Sequence, residues 1–156
     1  MKPGVYSQLY IQIVFAVQNR EAVLTDNIRM KIFSYMSGII SDMKHKAIIV
    51  NGVSDHVHIL FGLNPAKSIS ETVHDIKRGS SLFINKEKLC IGKFTWQEGY
   101  GAFSYGRSQL DDIYKYIQNQ EQHHSKRTFK EEYFLFLKKY EIEYDEHFLF
   151  DFFDNP

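Results

Sequence analysis

The chain has a single cysteine, Cys90, among 156 residues. An intrachain disulfide is therefore excluded, and so is a cysteine-based zinc site; a reducing, cytoplasmic setting is the natural expectation. No apolar run approaches the length that crosses a bilayer, and no hydrophobic stretch of the signal-peptide kind follows Met1-Lys2-Pro3-Gly4. The expectation is a soluble, unexported protein with no membrane partner. Internal repeats and low-complexity segments are absent. Net charge is missing too, with 19 basic and 19 acidic residues, but the balance is uneven along the chain. Residues 141–156 carry six acids and no Lys or Arg, which leaves residues 1–140 with 19 basic against 13 acidic residues, a net of +6. A basic body with an acidic tail is compatible with a polyanionic ligand for the body, although a mixed solvated surface explains the charges equally well.

What is abundant is aromatic: ten Tyr, thirteen Phe and one Trp, 15% of the chain. The length fits one domain, 1–156, with one sizeable core. Leu9, Ile11, Ile13, Phe15 and Val17 alternate with other residues, the period of a strand over about 7–17. Thr25 opens a helix whose stripe runs through Ile28, Ile32, Tyr35, Met36, Ile39, Ile40 and Met43. Ala47 to Val53 reads as a second strand, linked by Ser54-Asp55 to a third as a hairpin. Ser68-Ile69-Ser70-Glu71 is a capping box for a second helix to about Asn85, with Gly79 predicting a kink or an unwound turn. Lys93 to Phe103 reads as a short aromatic fourth strand with glycines. The order predicts an α+β fold, the ferredoxin-like split βαβ unit: a four-stranded antiparallel sheet within 5–105, helices on one face, first and third strands central. A further helix over 108–124 follows, then one from Thr128 to about Tyr140. The apolar residues of the tail, Phe148-Leu149-Phe150-Asp151-Phe152-Phe153, predict docking on the body or a second subunit.

The third strand, Asp55-His56-Val57-His58-Ile59-Leu60-Phe61, is apolar enough to be buried yet carries two histidines. Alternation puts His56, His58 and Leu60 on one face and Val57, Ile59 and Phe61 on the other. Two neutral imidazoles side by side on a rigid strand can ligate one divalent metal; a pair of hydrogen-bonded core histidines fits the same pattern. Far along the chain, Tyr116 and Gln120 are four apart on the 108–124 helix, hence on one face, with Asp112. A glutamine carbonyl oxygen can complete a two-histidine metal site, and a tyrosine one turn away can be a nucleophile toward a phosphate that the cation polarises. Tyr114 and Gln118 form the same i, i+4 pair, so spacing does not choose between the two tyrosines.

The combination of Asp55-His56-Val57-His58-Ile59-Leu60 with Tyr116-Ile117-Gln118-Asn119-Gln120 and His123-His124 resembles the small single-tyrosine transposases of the HUH nuclease superfamily. These belong to minimal bacterial and archaeal insertion sequences and include relatives acting on repetitive extragenic palindromes. The resemblance implies that His56 and His58 are the metal-binding pair, Gln120 the third ligand and Tyr116, rather than Tyr114, the nucleophile. It further implies Mg²⁺ or Mn²⁺, a substrate of single-stranded DNA folded into hairpins at transposon ends, and a 5′-phosphotyrosine with a free 3′-hydroxyl. It also implies a homodimer in which the tyrosine helix acts in trans.

Secondary roles follow from residue type. Lys77, Arg78, Ser80, Arg20, Lys126 and Arg127 are candidate phosphate contacts, with solvated surface groups as the alternative. Trp96, Tyr100, Phe103 and Tyr105 are candidate base-stacking aromatics, half of them expected in the core. Two rival functions are a noncatalytic or domesticated hairpin-binding protein and a two-histidine phosphoesterase. The latter needs two matching His-x-Thr/Ser segments, which the chain lacks.

Overall fold

The computed structural model describes residues 3–122, 128–139 and 141–142. Strand β1 (Tyr10–Ala16) is followed by helix α1 (Asp26–Asp42), strands β2 (Lys46–Gly52) and β3 (His56–Gly62), helix α2 (Ile69–Lys86), strand β4 (Gly101–Tyr105), and helices α3 (Leu110–Gln118) and α4 (Phe129–Lys139). The strands form one antiparallel sheet in the order β2-β3-β1-β4, so the histidine strand and β1 are central as expected. Among the described residues no helix is long and apolar enough to cross a membrane.

Alternation along the central strands divides the molecule into two layers of core. Ile11, Ile13 and Phe15 of β1, with Val57, Ile59 and Phe61 of β3, face α1 and α2. Val14 and Ala16 of β1, with Leu60 of β3, face the other way, onto Ile113 and Ile117 of α3 and Tyr133 and Leu137 of α4. The sheet is thus covered on both faces, by the two βαβ helices on one and the C-terminal helices on the other. A strand buried on both sides explains why β3 carries apolar residues at odd and even positions alike.

Local chemistry accounts for the element ends. Ser68 accepts from the Glu71 amide while the Glu71 carboxylate accepts from the Ser68 amide, the expected capping box of α2. Thr25 occupies the cap position of α1 without bonding its helix amides. α3 is entered through a 3₁₀ turn, Arg107–Gln109, rather than a side-chain cap, and it ends at Asn119, with residues 120–122 again helical. Thr128 caps α4 by accepting from the Glu131 amide. The acidic aromatic tail, residues 143–156, lies outside the described residues.

Two expectations are corrected. Gly79 does not kink α2, which is continuous; a Cβ there would lie 2.7 Å from Ile39 Cδ1, so the glycine serves the close approach of α1. The fourth strand does not span Lys93 to Phe103 but starts at Gly101. Trp96 makes a single antiparallel bridge to Val17, closed by the Gln18 and Gln97 amides donating to the Thr95 and Ala16 carbonyls, and its indole packs edge-on against Phe15 and Phe94, so the segment before Gly101 is held by one bridge, side-chain hydrogen bonds and aromatic packing rather than a ladder.

Candidate active site

The site grows from β3. His56 and His58 are both fully buried and project from the α3/α4 side of the sheet, with ring centroids 5.3 Å apart. Buried imidazoles need partners, and each ring has one behind it. His56 Nδ1 lies 2.7 Å from the Asp55 carboxylate, which keeps the ring proton on Nδ1 and turns Nε2 outward. His58 Nδ1 lies 2.8 Å from the Gln12 amide nitrogen, and Gln12 Oε1 in turn accepts from the Tyr105 hydroxyl at 2.6 Å. With this amide orientation the His58 proton sits on Nε2; a half-turn of the Gln12 amide places it on Nδ1 and frees Nε2 for a cation. Sequence reasoning passed over Gln12, although a polar residue in the middle of an otherwise apolar strand is a recognisable signal.

Helix α3 brings the second half of the site. Tyr116 stands edge-on to His58 with ring centroids 5.9 Å apart, and Gln120, fully buried, places Oε1 3.3 Å from His56 Nε2. Asn51, on β2, fixes the helix there: its amide donates to the carbonyls of Ile117 and Gln118, two of the groups a helix C-terminus leaves unbonded. Tyr114 faces solvent on the other side of α3, and Asp112 is exposed. The four residues singled out as His56, His58, Tyr116 and Gln120 are therefore brought together, and within one chain. The homodimer with exchanged tyrosine helices implied by the resemblance is not needed to assemble this constellation.

A fifth member was not foreseen. Glu132, on α4 and 2% exposed, sits between the two halves. Its Oε1 lies 2.8 Å from His58 Nε2 and accepts from the Tyr116 hydroxyl at 2.6 Å and from the Gln120 amide at 3.4 Å; its Oε2 lies 3.8 Å from His56 Nε2. Burial alone raises a carboxyl pKa, but the imidazoles of His58 and His56 and the Tyr116 hydroxyl outweigh it and hold Glu132 well below the ordinary carboxylate range. Glu132 Oε2 has no hydrogen-bond partner among the described residues. His56, His58 and Glu132 present ligand atoms all within 4.8 Å of one another, a spacing that one divalent cation can span. A buried carboxylate whose two oxygens face one imidazole nitrogen each, with Oε2 lacking a hydrogen donor among the described residues, fits a bound cation.

The candidate phosphate contacts divide. Arg78 is exposed on α2. Lys77 is committed elsewhere: Nζ donates to the carbonyls of Gln97 at 2.8 Å and Gly99 at 2.7 Å and lies over the Phe15 ring. Burial pulls its pKa down to about 8, with Glu98 partly opposing. Ser80 is fully buried; its hydroxyl donates to the Ile76 carbonyl and accepts from the Trp96 indole at 2.8 Å, so it anchors Trp96 and has no surface for a phosphate. Arg20 lies in a 3₁₀ turn after β1, and Lys126 and Arg127 fall outside the described residues. Of the candidate stacking aromatics, Trp96, Phe103 and Tyr105 are core and Tyr100 is exposed.

An antiparallel ferredoxin-like sheet with a histidine pair on a central strand, a phenol on a following helix and a carboxamide just past the end of that helix defines a histidine-pair tyrosine centre of α+β class. The family model described as "Transposase IS200 like" matches residues 5–120, and the chain belongs to that family. Among solved structures, the fold is similar to that of a protein from Deinococcus radiodurans R1 described as a candidate transposase, with 20% identity and a TM-score of 0.61, covering 77% of this chain and 96% of that one. It is also similar to a REP-associated tyrosine transposase bound to a REP hairpin, with 12% identity and a TM-score of 0.59, covering 80% of this chain and 74% of that one. No curated protein matches the chain.

Proposed function

We propose that this transposase-family chain cleaves and rejoins single-stranded DNA at hairpin-flanked ends, with Tyr116 as nucleophile and a divalent cation, Mg²⁺ or Mn²⁺, held by His56, His58 and Gln120. The observation that carries the reading is the meeting of Tyr116 with His58, and of Gln120 with His56, across a sheet and a helix more than fifty residues apart in sequence. A bound divalent cation supplies polarisation of the phosphoryl oxygens and stabilisation of the leaving oxygen. Tyr116, half-buried where its neighbours are fully buried, is the member a phosphate meets first. Its oxygen bonds to phosphorus and the P–O3′ bond breaks. The 3′ oxygen leaves as a hydroxyl, taking up a proton as the phenol loses one, and the 5′-phosphate remains on Tyr116. The new ester conserves the phosphodiester bond energy, so a 3′-hydroxyl can reverse the step. That a protein of this fold was solved bound to a REP hairpin supports a hairpin ligand, and the net +6 of residues 1–140 supports a polyanion.

In this reading the protein acts as a homodimer in which each tyrosine serves the histidines of its own subunit. The test is cleavage of a labelled single-stranded hairpin library with Mn²⁺ by wild type, His58→Ala, Tyr116→Phe and an equimolar mixture of the two variants. Wild type is expected to cut, each variant to be inactive, and the mixture to stay inactive. A mixture that regains activity would move the tyrosine to the partner subunit. A wild type that binds hairpins and cuts none would make the chain a noncatalytic binder.

A further inference from the structure

We infer that Glu132 is a protein ligand of the cation, so that the site is formed by β3, by the helical residues 120–122 that follow α3 and by α4 together. The inference rests on the metal-site reading above and deepens it. Glu132 lies outside the stretch matched by the family model, residues 5–120, so that match neither assigns nor excludes it.

Three observations support the role. The first is distance. Ligands about 2.1 Å from one cation stand about 3 Å apart when adjacent and about 4 Å apart when opposed. Glu132 Oε1 lies 2.8 Å from His58 Nε2, Oε2 lies 3.8 Å from His56 Nε2, and Gln120 Oε1 lies 3.3 Å from the same His56 nitrogen. These are the separations of groups around a common centre. The second is chemistry. Two imidazoles and a carboxamide bring no negative charge to the site, whereas Mg²⁺ and Mn²⁺ favour hard, anionic oxygen donors. Among the described residues Glu132 supplies the one carboxylate whose oxygens face both Nε2 atoms, while Asp55 is turned to Nδ1, behind the His56 ring. The third is burial. A carboxylate 2% exposed, with one oxygen lacking a hydrogen donor among the described residues, leaves a lone pair in the interior that a cation between it and the imidazoles would take up. The same carboxylate accepts from Tyr116, so a ligand in this position also sets the nucleophile beside the coordination sphere. Because Glu132 comes from α4, cation binding would fasten that helix to β3.

The test is a titration of metal-free full-length protein with Mn²⁺, read by the electron paramagnetic resonance signal of free Mn²⁺. Wild type, Glu132→Gln, Glu131→Gln and His58→Ala are compared. Glu131 is the exposed neighbour and controls for loss of one charge. Wild type and Glu131→Gln should bind one ion with equal affinity, Glu132→Gln should bind about tenfold or more weakly, and His58→Ala should lose binding. Unchanged or tighter binding by Glu132→Gln, with His58→Ala still deficient, overturns the role of Glu132 and leaves the histidine site standing. No binding by wild type overturns both. Amide exchange in the wild-type protein gives a second readout that needs no variant. Added Mn²⁺ should slow exchange across 129–139, and exchange there that ignores the ion overturns the inference.

Discussion

The amide of Asn51, on β2 directly opposite His58 in the strand register, donates across 2.8 Å to the carbonyl of Ile117, one residue past the Tyr116 phenol. A second contact from the same nitrogen reaches the Gln118 carbonyl at 3.2 Å. The sheet that carries the histidines therefore also sets the axial position of the tyrosine helix.

Asn51→Ala leaves both carbonyls without this donor. The expected cost is about 1–2 kcal/mol of stability in urea denaturation, with slower formation of the covalent DNA adduct and Mn²⁺ affinity close to wild type. An adduct rate unaffected by the substitution would show that the clasp does not position Tyr116.

Gly52 closes the β2–β3 hairpin where no side chain fits. A Cβ at this position would stand 2.2 Å from the His56 carbonyl oxygen, a backbone atom that cannot rotate away. Gly52→Ala is expected to destabilise the fold by about 2–3 kcal/mol and to weaken metal binding, because the displaced atom belongs to His56 itself. Gly79→Ala, whose added methyl meets only the flexible end of Ile39, is expected to stay within about 1 kcal/mol of wild type. Equal losses at the two positions would contradict this account.

Ser80 and Arg78 lie two residues apart on α2 and should separate cleanly. Ser80→Ala removes the acceptor of the Trp96 indole and is expected to cost about 1 kcal/mol of stability, with hairpin affinity unchanged. Arg78→Ala is expected to leave the melting temperature alone and to weaken hairpin binding, with a shallower salt dependence. The check is fluorescence anisotropy at several salt concentrations beside thermal unfolding; a loss of hairpin affinity in Ser80→Ala would restore it as a phosphate contact.

Lys77 gives a pH signature. Its folded pKa of about 8 lies below its ordinary 10.5, so between these values the unfolded chain binds more protons than the folded one. Stability contributed through Lys77 therefore rises as pH increases from about 8 to about 10.5 and is lost as pH falls through 8. Lys77→Met lacks the group, and the other titrations are common to both proteins. The stability of wild type relative to Lys77→Met should grow over that interval in denaturant titrations; a flat or falling difference would contradict the buried placement of the amine.

Much of this was legible in the chain itself. The period of two in Asp55–Phe61 correctly separated His56, His58 and Leu60 from Val57, Ile59 and Phe61, because alternation in a strand follows from covalent geometry alone. The i, i+4 spacing grouped Tyr116 with Gln120, and the two do meet at Glu132 Oε1 although α3 ends between them; spacing could not choose between Tyr116 and Tyr114, since which face of α3 meets the sheet is a tertiary fact. Glu132 was hidden more deeply. It sits with Glu131 in the first turn of α4, where acids ordinarily face solvent and favour the helix N-terminus. Only the return of α4 across the sheet turns it inward, and no local pattern encodes a contact over 74 residues. The neighbouring Tyr133 and Leu137, buried on the same helix, were the available hint that this acid lies beside an apolar stripe. Ser80 and Lys77 misled for a related reason: residue type suggests phosphate binding, whereas the packing of Trp96 and of the 97–99 segment decides what each side chain bonds.

The central claim, that Tyr116 is the nucleophile, is tested most directly by mass spectrometry after reaction with a single-stranded hairpin library and Mn²⁺. Trypsin cuts after Lys115 and so places Tyr114 and Tyr116 on separate peptides. The account predicts a 5′-linked nucleotide on the peptide beginning at Tyr116, absent in Tyr116→Phe. A nucleotide on the peptide ending Tyr114-Lys115, or on neither, would contradict it.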